Sequence, residues 1–154
     1  MFPAPAGSPW TLVIKGVDES VTSTTVVQND DELTFALIAN TTYFFRAYIF
    51  FNTPIAADFK FSFVCTGTQT ATESKVFSTM AGSVGSTSHG VNCSAGGDFI
   101  VTGTTLPMGY VTIEMVIKQS GTAGTWTFQW AQNTSNAGAT KVRAGSYVEY
   151  TITP

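Results

Sequence analysis

Charged residues are scarce in this sequence. Asp, Glu, Lys and Arg make up 11% of its 154 residues, against roughly 25% in typical soluble domains. The basic side chains are scattered, and only Lys141 and Arg143 lie close together. Nucleic-acid binding needs a clustered basic surface. Because the net charge is also −3, we expect no nucleic-acid partner.

Residue types that bind metals are scarce as well. His89 is the single histidine, and Cys65 and Cys93 are the two cysteines. A structural zinc site takes four such ligands. The sequence also has neither the spacing of a calcium loop nor a glycine-rich phosphate motif ahead of a helix. We therefore expect no metal and no cofactor.

The two cysteines allow two interpretations. They are 28 residues apart, with a segment rich in Gly, Ser and Thr between them. Synthesis in a cytoplasm favours two free thiols, whereas a disulfide between Cys65 and Cys93 would constrain a long loop. Both interpretations stay open at the level of sequence.

Long apolar runs are missing too. No stretch has the roughly 20 apolar residues of a transmembrane helix. The first ten residues, MFPAPAGSPW, lack the basic and apolar regions of a secretory signal. We expect a protein that is made in a cytoplasm and has no membrane contact.

Thr, Ser and aromatic residues are abundant instead. Thr and Ser together supply 38 residues, aromatic residues 13% and hydrophobic residues 44%. Thr is β-branched and suits a half-exposed pleated surface, and 154 residues are enough for one sizeable core. The composition predicts a β protein with neutral outer faces, which suit contact with copies of itself or with a partner.

The last thirty residues show the clearest strand pattern. Trp126, Phe128 and Trp130 alternate with smaller or polar residues, which is the period of a strand with two different faces. A polar link at 133–140 separates them from a second alternating run at 142–152. Two such runs joined by a turn-rich link predict an antiparallel pair.

Similar alternation recurs upstream and predicts eight to ten short strands. The predicted strands span 10–14, 17–27, 33–38, 42–51, 58–64, 73–80, 98–106 and 110–119, with a turn at 28–32 and an irregular segment at 66–97. The pattern predicts an all-β fold, an antiparallel β-sandwich of jelly-roll type. Three prolines within 1–9 predict an extended N-terminal arm, so we assign 1–9 to the arm and 10–154 to one sandwich domain.

Strand 42–51, TYFFRAYIFF, is aromatic on both faces. Such a strand is either central between two layers or presents one face to a neighbouring subunit. We take Phe44, Tyr48 and Phe50 as candidate subunit-contact residues. We expect Arg46, which lies among them, to be paired structurally.

Candidate catalytic groups are weak. His89 lies in a loop, GSTSHGVN, without a nucleophile-elbow pattern. Glu114 and Glu149 could lie near one another and act as paired carboxylates, although solvated or ion-paired acids explain them better. We predict that the protein is not an enzyme and has no catalytic residues.

Three stretches resemble a group of small structural proteins of tailed bacteriophages. They are NDDELTFALIANTTYFFRAYIFF, ADFKFSF and GTAGTWTFQWAQNTSNAGATKVRAGSYV, and the similarity covers 14–64 and 110–150. The resemblance implies a virion protein made in the host cytoplasm. It implies a capsid decoration (cement) protein on the capsid surface, a homotrimer bound to the major capsid protein. The alternative is a tail-fibre or head-fibre domain whose 66–97 loop contacts a host glycan.

Under the decoration hypothesis, the N-terminal arm is the candidate capsid-binding segment. Its apolar and proline residues Phe2, Pro3, Pro5 and Trp10 are the candidate contact residues.

Overall fold

The computed structural model of the protein describes residues 9–78, 99–101 and 109–153, with the backbone alone over 71–78. These residues form eleven strands: β1 (Thr11–Ile14), β2 (Glu19–Val21), β3 (Gln28–Leu37), β4 (Thr42–Asn52), β5 (Phe59–Cys65), β6 (Gln69–Ser78), β7 (Phe99–Val101), β8 (Gly109–Gln119), β9 (Gly124–Gln132), β10 (Thr140–Val142) and β11 (Tyr147–Thr153). Within these ranges, no helix has the length and apolarity needed to cross a membrane.

The strands lie in two antiparallel sheets. Sheet A runs β6-β8-β4 and continues with β11-β1 along one part of β4 and with β10-β2 along the other. Sheet B runs β3-β9-β5-β7. β10 and β11 therefore share one strand position next to β4, and β1 and β2 share the strand position next to β10 and β11.

The strand order is that of a jelly roll. When β1/β2 and β10/β11 are each counted as one interrupted strand and β6 is set aside, eight strands remain. Sheet A then has the first, eighth, third and sixth strands, and sheet B has the second, seventh, fourth and fifth. This order is the double Greek key of a jelly roll, as the sequence predicted. β6 is an addition at the edge of sheet A, within the segment predicted to be irregular.

The core between the sheets is largely aromatic, and it follows from the alternation of the strands. Inward residues of β4, β5 and β9 are buried, whereas their neighbours in sequence face outward. Phe59 of sheet B stacks on Phe51 of sheet A, with ring centroids 4.1 Å apart. Phe45 lies between Phe35 at 5.5 Å and Trp126 at 5.1 Å. Aromatic rings of this size each remove roughly 150–250 Å² from water.

The predicted pairing of the last two runs is wrong. β9 belongs to sheet B, whereas β10 and β11 belong to sheet A. The polar link between them crosses from one sheet to the other. It is held by Gln132, which donates to the carbonyl of Gly138 at 2.7 Å and accepts from the amide of Asn136 at 3.0 Å. The link therefore has turn chemistry, but it is a Greek-key crossover.

The turn predicted at 28–32 is instead the first half of β3. The expected Asx-type hydrogen bonds are present, because the Asp30 carboxylate accepts from the amides of Glu32 at 3.1 Å and Leu33 at 2.9 Å. They stabilise an irregularity in the pairing of β3 with β9 between Asn29 and Thr34. A β-bulge accommodates such chemistry without ending the strand.

Two other predicted strands differ in length. Of 17–27, only β2 (Glu19–Val21) is a strand. The residues before it bond elsewhere: the Val17 amide donates to the Glu32 carboxylate of β3, and the Asp18 carboxylate accepts from the Ala144 amide. Of 98–106, the described part is β7 (Phe99–Val101). Asp98 and 102–106 lie outside the described residues.

Candidate interface on the outer face of sheet A

The two outer faces of the sandwich differ in chemistry. On sheet B, the outward side chains of neighbouring strands are hydrogen-bonded polar groups. The hydroxyls of Thr34 and Thr127 are 2.9 Å apart, and Gln129 donates to Asn29 at 2.8 Å. On sheet A, outward aromatic and aliphatic side chains lie on neighbouring strands, interspersed with polar ones. We call this second surface the outer face; its apolar members are Trp10, Leu12, Ile14, Phe44, Tyr48, Phe50, Tyr110 and Tyr147.

Strand register assembles the outer face from four strands. Phe44, Tyr48 and Phe50 alternate with the core residues of β4. β11 places Tyr147 opposite Tyr48, and β8 places Tyr110 opposite Phe50. Side chains of directly opposite residues point to the same face. The candidate contact residues therefore do share one surface with side chains from other strands.

The apolar side chains of the outer face are substantially exposed. Leu12 is 43% exposed, Ile14 46%, Phe44 40% and Tyr110 39%. Tyr48 and Tyr147 stack with ring centroids 4.9 Å apart and an interplanar angle of 23°. The side chains thus form a continuous layer, whereas isolated exposed apolar residues would need no explanation.

A row of charges crosses the middle of the outer face. Arg46 donates to Glu149 across the β4–β11 pair at 2.7 Å. The Trp10 ring covers its guanidinium at 5.2 Å, a cation–π contact. On the other side, β8 places Glu114 opposite Arg46. The prediction that Arg46 is structurally paired is confirmed, and Glu114 and Glu149 flank this arginine.

Tyr147 is held neutral at the edge of this charge row. Burial raises the pKa of its phenol, and the neighbouring Tyr48 and Glu149 raise that pKa further. The Tyr48–Tyr147 stack therefore carries no charge near neutral pH, and this part of the outer face stays apolar.

The other predicted site residues fall in three places. Trp10 is half-buried at the edge of the outer face, whereas Phe2, Pro3 and Pro5 lie outside the described residues. Cys65 ends β5 and takes part in a disulfide, but Cys93 lies outside the described residues, so its pairing with Cys65 stays a prediction.

The other two tryptophans lie in the core. Trp126 and Trp130 are fully buried, so they are core residues and cannot form a sugar platform. Leu12, Ile14, Tyr110 and Tyr147 were missed as members of the outer face. Their alternation was visible in the sequence, but their neighbours in the sheet were not.

A second feature, also missed, is a buried charge cluster where β1 passes into β2. Lys15 is almost fully buried, and its ammonium lies 2.9 Å from Glu19, 2.9 Å from Asp30 and 3.7 Å from Glu32. Burial lowers the pKa of Lys15, but hydrogen bonds and charges from Asp30 and Glu19 outweigh it, so the net shift is upward. The cluster joins sheet A to β3 of sheet B.

The carboxylates of Glu32 and Asp18 hold the β1–β2 connection in place. Glu32 accepts hydrogen bonds from the amides of Gly16 and Val17 at 3.0 and 3.3 Å. Asp18 accepts from the amide of Ala144 at 2.9 Å and pairs with Arg143 at 3.1 Å. These bonds tie the interruption in β1/β2 to the adjacent interruption in β10/β11.

These carboxylates predict an acid-sensitive connection. Backbone hydrogen bonds lower the pKa of both Asp18 and Glu32. A lowered pKa contributes stability that is present above the ordinary carboxyl pKa of about 4 and is lost as the pH falls through the lower, folded-state value. We expect Asp18→Asn and Glu32→Gln each to lower the melting temperature at pH 7 and to flatten its decline below about pH 5.

The control for this pH prediction is Asp31→Asn, at an exposed carboxylate of the same region. Melting followed by circular dichroism from pH 7 to pH 3 provides the measurement. The melting temperature of the wild type should fall between pH 7 and pH 3, and Asp18→Asn and Glu32→Gln should reduce this fall more than Asp31→Asn does. Equal falls in all three variants would contradict the role given to Asp18 and Glu32.

Catalytic and metal-binding candidates gain no support. His89 lies outside the described residues. Among the described residues, no group of three or more His, Cys, Asp or Glu side chains could hold a metal ion.

One end of the sandwich carries a shallow polar groove. It has a volume of about 340 Å³ and is lined by Asn40, Thr42, Thr70, Lys118, Gln119 and Ser120. Its walls offer hydroxyl and amide groups, but no aromatic ring on which a sugar could stack.

The chain was compared with known proteins. No protein-family model and no curated protein matches it. Among solved structures, it is similar to the structure of the Gx strain of infectious bursal disease virus. The sequence identity is 12% and the TM-score 0.23, over 92% of this chain and 37% of the viral chain. The chain is also similar to the D431N mutant VP2 protein of the same virus, from T=1 particles. That structure has 12% sequence identity and a TM-score of 0.23, over 93% of this chain and 38% of the viral chain.

This chain thus spans less than two fifths of either viral chain. Because these TM-scores are low, the likeness supports no inference about function. The jelly-roll assignment rests on the strand order of this chain.

Proposed function

We propose that this chain is a non-enzymatic structural protein of a virus particle, a decoration protein that binds and stabilises the assembled capsid of a tailed bacteriophage. The observation that carries the proposal is the contrast between the outward side chains of sheet A and those of sheet B. Sheet A presents a layer of aromatic and aliphatic side chains, and sheet B presents polar ones. Large apolar patches usually mark a contact surface, so the fold suits a protein that is covered in an assembly.

The resemblance to phage structural proteins supports the same function. The three similar stretches supply β4 of sheet A, β3, β9 and β5 of sheet B, and β10 with the start of β11. Their matching residues are core and register residues rather than a catalytic constellation. The resemblance therefore concerns the scaffold, which is the part that a structural virion protein uses.

Stabilisation would follow from binding linkage. A protein that binds the assembled shell, and not its dissociated subunits, shifts the equilibrium toward the shell. At a free concentration one hundred times the Kd, each site contributes about 2.7 kcal/mol. Repeated over many equivalent sites, this contribution makes the capsid harder to open without any chemical step.

The N-terminal arm is the proposed contact with the major capsid protein. Trp10, which follows the arm and precedes β1, is fixed over Arg46 at the edge of the outer face. The residues before Trp10 therefore start from an anchored position. The homotrimer that the resemblance implies remains a prediction.

An add-back experiment with heads lacking this protein tests the proposal. We expect the purified protein to sediment with such heads and to raise the temperature at which they release DNA. A variant without residues 1–9 should stay in the supernatant with an unchanged circular dichroism spectrum, because the strands begin at Thr11.

The matched control is Val26→Ala, at an exposed apolar residue in a loop on the sheet B side. It should bind as the wild type does. Failure of the full-length protein to bind heads would contradict the proposed function, and full binding without residues 1–9 would contradict the role of the arm.

A fibre-head domain that contacts a host glycan is the second candidate. The polar groove at Asn40 and Lys118 favours it, because hydroxyl and amide groups suit a sugar. The lack of an aromatic ring in the groove lining counts against it. Free protein that blocks infection by occupying host cells would favour this candidate over the decoration function.

A further inference from the structure

We infer that the outer face of sheet A is a self-association surface, covered by the same face of a second copy of this chain. The inference goes beyond the proposed function, which requires a contact with the capsid but none between copies. It concerns the protein free in solution. The argument uses the extent of the outer face, its charge and its rigidity.

The extent of the outer face suits a specific protein interface. It includes β1, β11, β4 and β8, and strands about 4.8 Å apart give a width of roughly 20 Å with their side chains. From Phe44 to Phe50 along β4, a rise of about 3.3 Å per residue gives roughly 20 Å more. The flat projection of about 400 Å² is a lower bound on the accessible area, against the roughly 800 Å² that each partner buries in a standard interface.

The charge of the outer face suits a copy of itself. On β1, β11, β4 and β8, the outward charged side chains are Arg46 and Lys118 against Glu114 and Glu149, so they sum to zero although the whole chain carries −3; Lys141, on β10, lies outside these four strands. Arg46 and Glu149 are already paired at 2.7 Å. If a second copy covers the charged row around Arg46 and Glu149, no uncompensated charge is removed from water. A strongly charged partner would find no net opposite charge on this face to attract it.

The outer face is also ordered in advance. Tyr48 stacks on Tyr147, and Trp10 is fixed on Arg46. Side chains that are already held in place lose little conformational entropy when a partner covers them. Stacked aromatic residues beside a paired arginine have the composition that interface centres favour.

The test is the molar mass of the purified full chain, measured by light scattering from about 0.5 to 100 μM in the absence of capsids. We expect twice the 16.4 kDa chain mass, because a contact between two like faces closes as a dimer, and a return to the monomer on dilution. Phe44→Glu replaces an exposed apolar ring at one end of the outer face with a charge and should raise the dissociation constant at least about 30-fold.

The matched control is Ile100→Glu. Ile100 is 52% exposed on β7 of sheet B, opposite Lys60, so it is an exposed apolar residue outside the outer face. This variant should associate as the wild type does. Unchanged thermal unfolding of the dilute variants checks that both remain folded.

Tryptophan quenching gives a second, independent readout. Trp126 and Trp130 are fully buried, so Trp10 is the tryptophan that acrylamide can reach. If copies associate through the outer face, quenching should fall as the protein concentration rises, and Phe44→Glu should abolish that fall.

A wild type that is monomeric at 100 μM, or one that Ile100→Glu dissociates as strongly as Phe44→Glu does, would overturn the inference. These outcomes are distinct from failure of the proposed function. A monomer that still binds heads would overturn the self-association alone, whereas an oligomer that ignores heads would overturn the decoration function alone.

Discussion

Phe45→Ala is expected to lower the free energy of unfolding by about 3–5 kcal/mol, the usual range for removing a large aromatic side chain from a core. Phe45 is almost fully buried and packs against Phe35 and Trp126 of sheet B. Its loss leaves a cavity in the layer that joins the two sheets, and backbone hydrogen bonds prevent the strands from closing it. Urea denaturation followed by tryptophan fluorescence provides the measurement.

The matched control is its neighbour in sequence. Phe44 lies on the same strand with its ring on the outer face. In dilute protein, where copies are apart, Phe44→Ala should cost no more than about 1 kcal/mol, because most of its surface is not in the core. Since a shift of one residue exchanges the two faces of a strand, equal costs for Phe44→Ala and Phe45→Ala would contradict the register of β4.

Lys15→Met is expected to destabilise the protein by about 3–5 kcal/mol, because it removes one partner of a buried ion pair and leaves a buried charge uncompensated. Asp30 is fully buried and would face an apolar side chain in place of its counter-charge. The second change Asp30→Asn should recover much of the loss. Asparagine can still accept from the amides of Glu32 and Leu33, and it needs no counter-charge.

Lys141→Met, at a half-exposed position on β10, is the control for charge removal as such. It should change stability by less than about 0.5 kcal/mol. Equilibrium unfolding of the single and double variants gives the coupling between Lys15 and Asp30. A Lys15→Met variant as stable as Lys141→Met would contradict the stabilising role of the Lys15 cluster. A double variant less stable than Lys15→Met alone would contradict it as well.

Much of the fold could be predicted from the sequence because period-2 alternation encodes which face of a strand is buried. In β5, Phe59, Phe61 and Phe63 are buried as the pattern of DFKFSFV indicates. The same alternation on β4 separated the core row from Phe44, Tyr48 and Phe50. The jelly-roll class followed from the number and spacing of such runs.

The neighbours of a strand could not be predicted in the same way. Alternation does not encode which strand lies beside which, so a turn-rich link was taken for a hairpin although it crosses between sheets. The strand count, eleven in the described residues against eight to ten predicted, has a related cause. The run predicted as one strand at 142–152 is interrupted between β10 and β11 by a short turn, which includes Gly145 with a positive φ of 89°.

The candidate site divides along the same boundary. Three of its aromatic residues lie on one strand and were identified together, whereas Leu12, Tyr110 and Tyr147 reach the outer face from other strands. The Lys15 cluster was invisible for the same reason. It unites residues from β2, β3 and the end of β1, and its acids were interpreted as turn residues.

Cryo-electron microscopy of tail-less heads, from phage particles in which this chain is detected, tests the proposed function most directly. The account predicts jelly-roll density on the outside of the capsid, in contact with the major capsid protein, with the outer face of sheet A turned toward another copy. Heads that lack this density, from particles whose tails contain the chain, would contradict the decoration function.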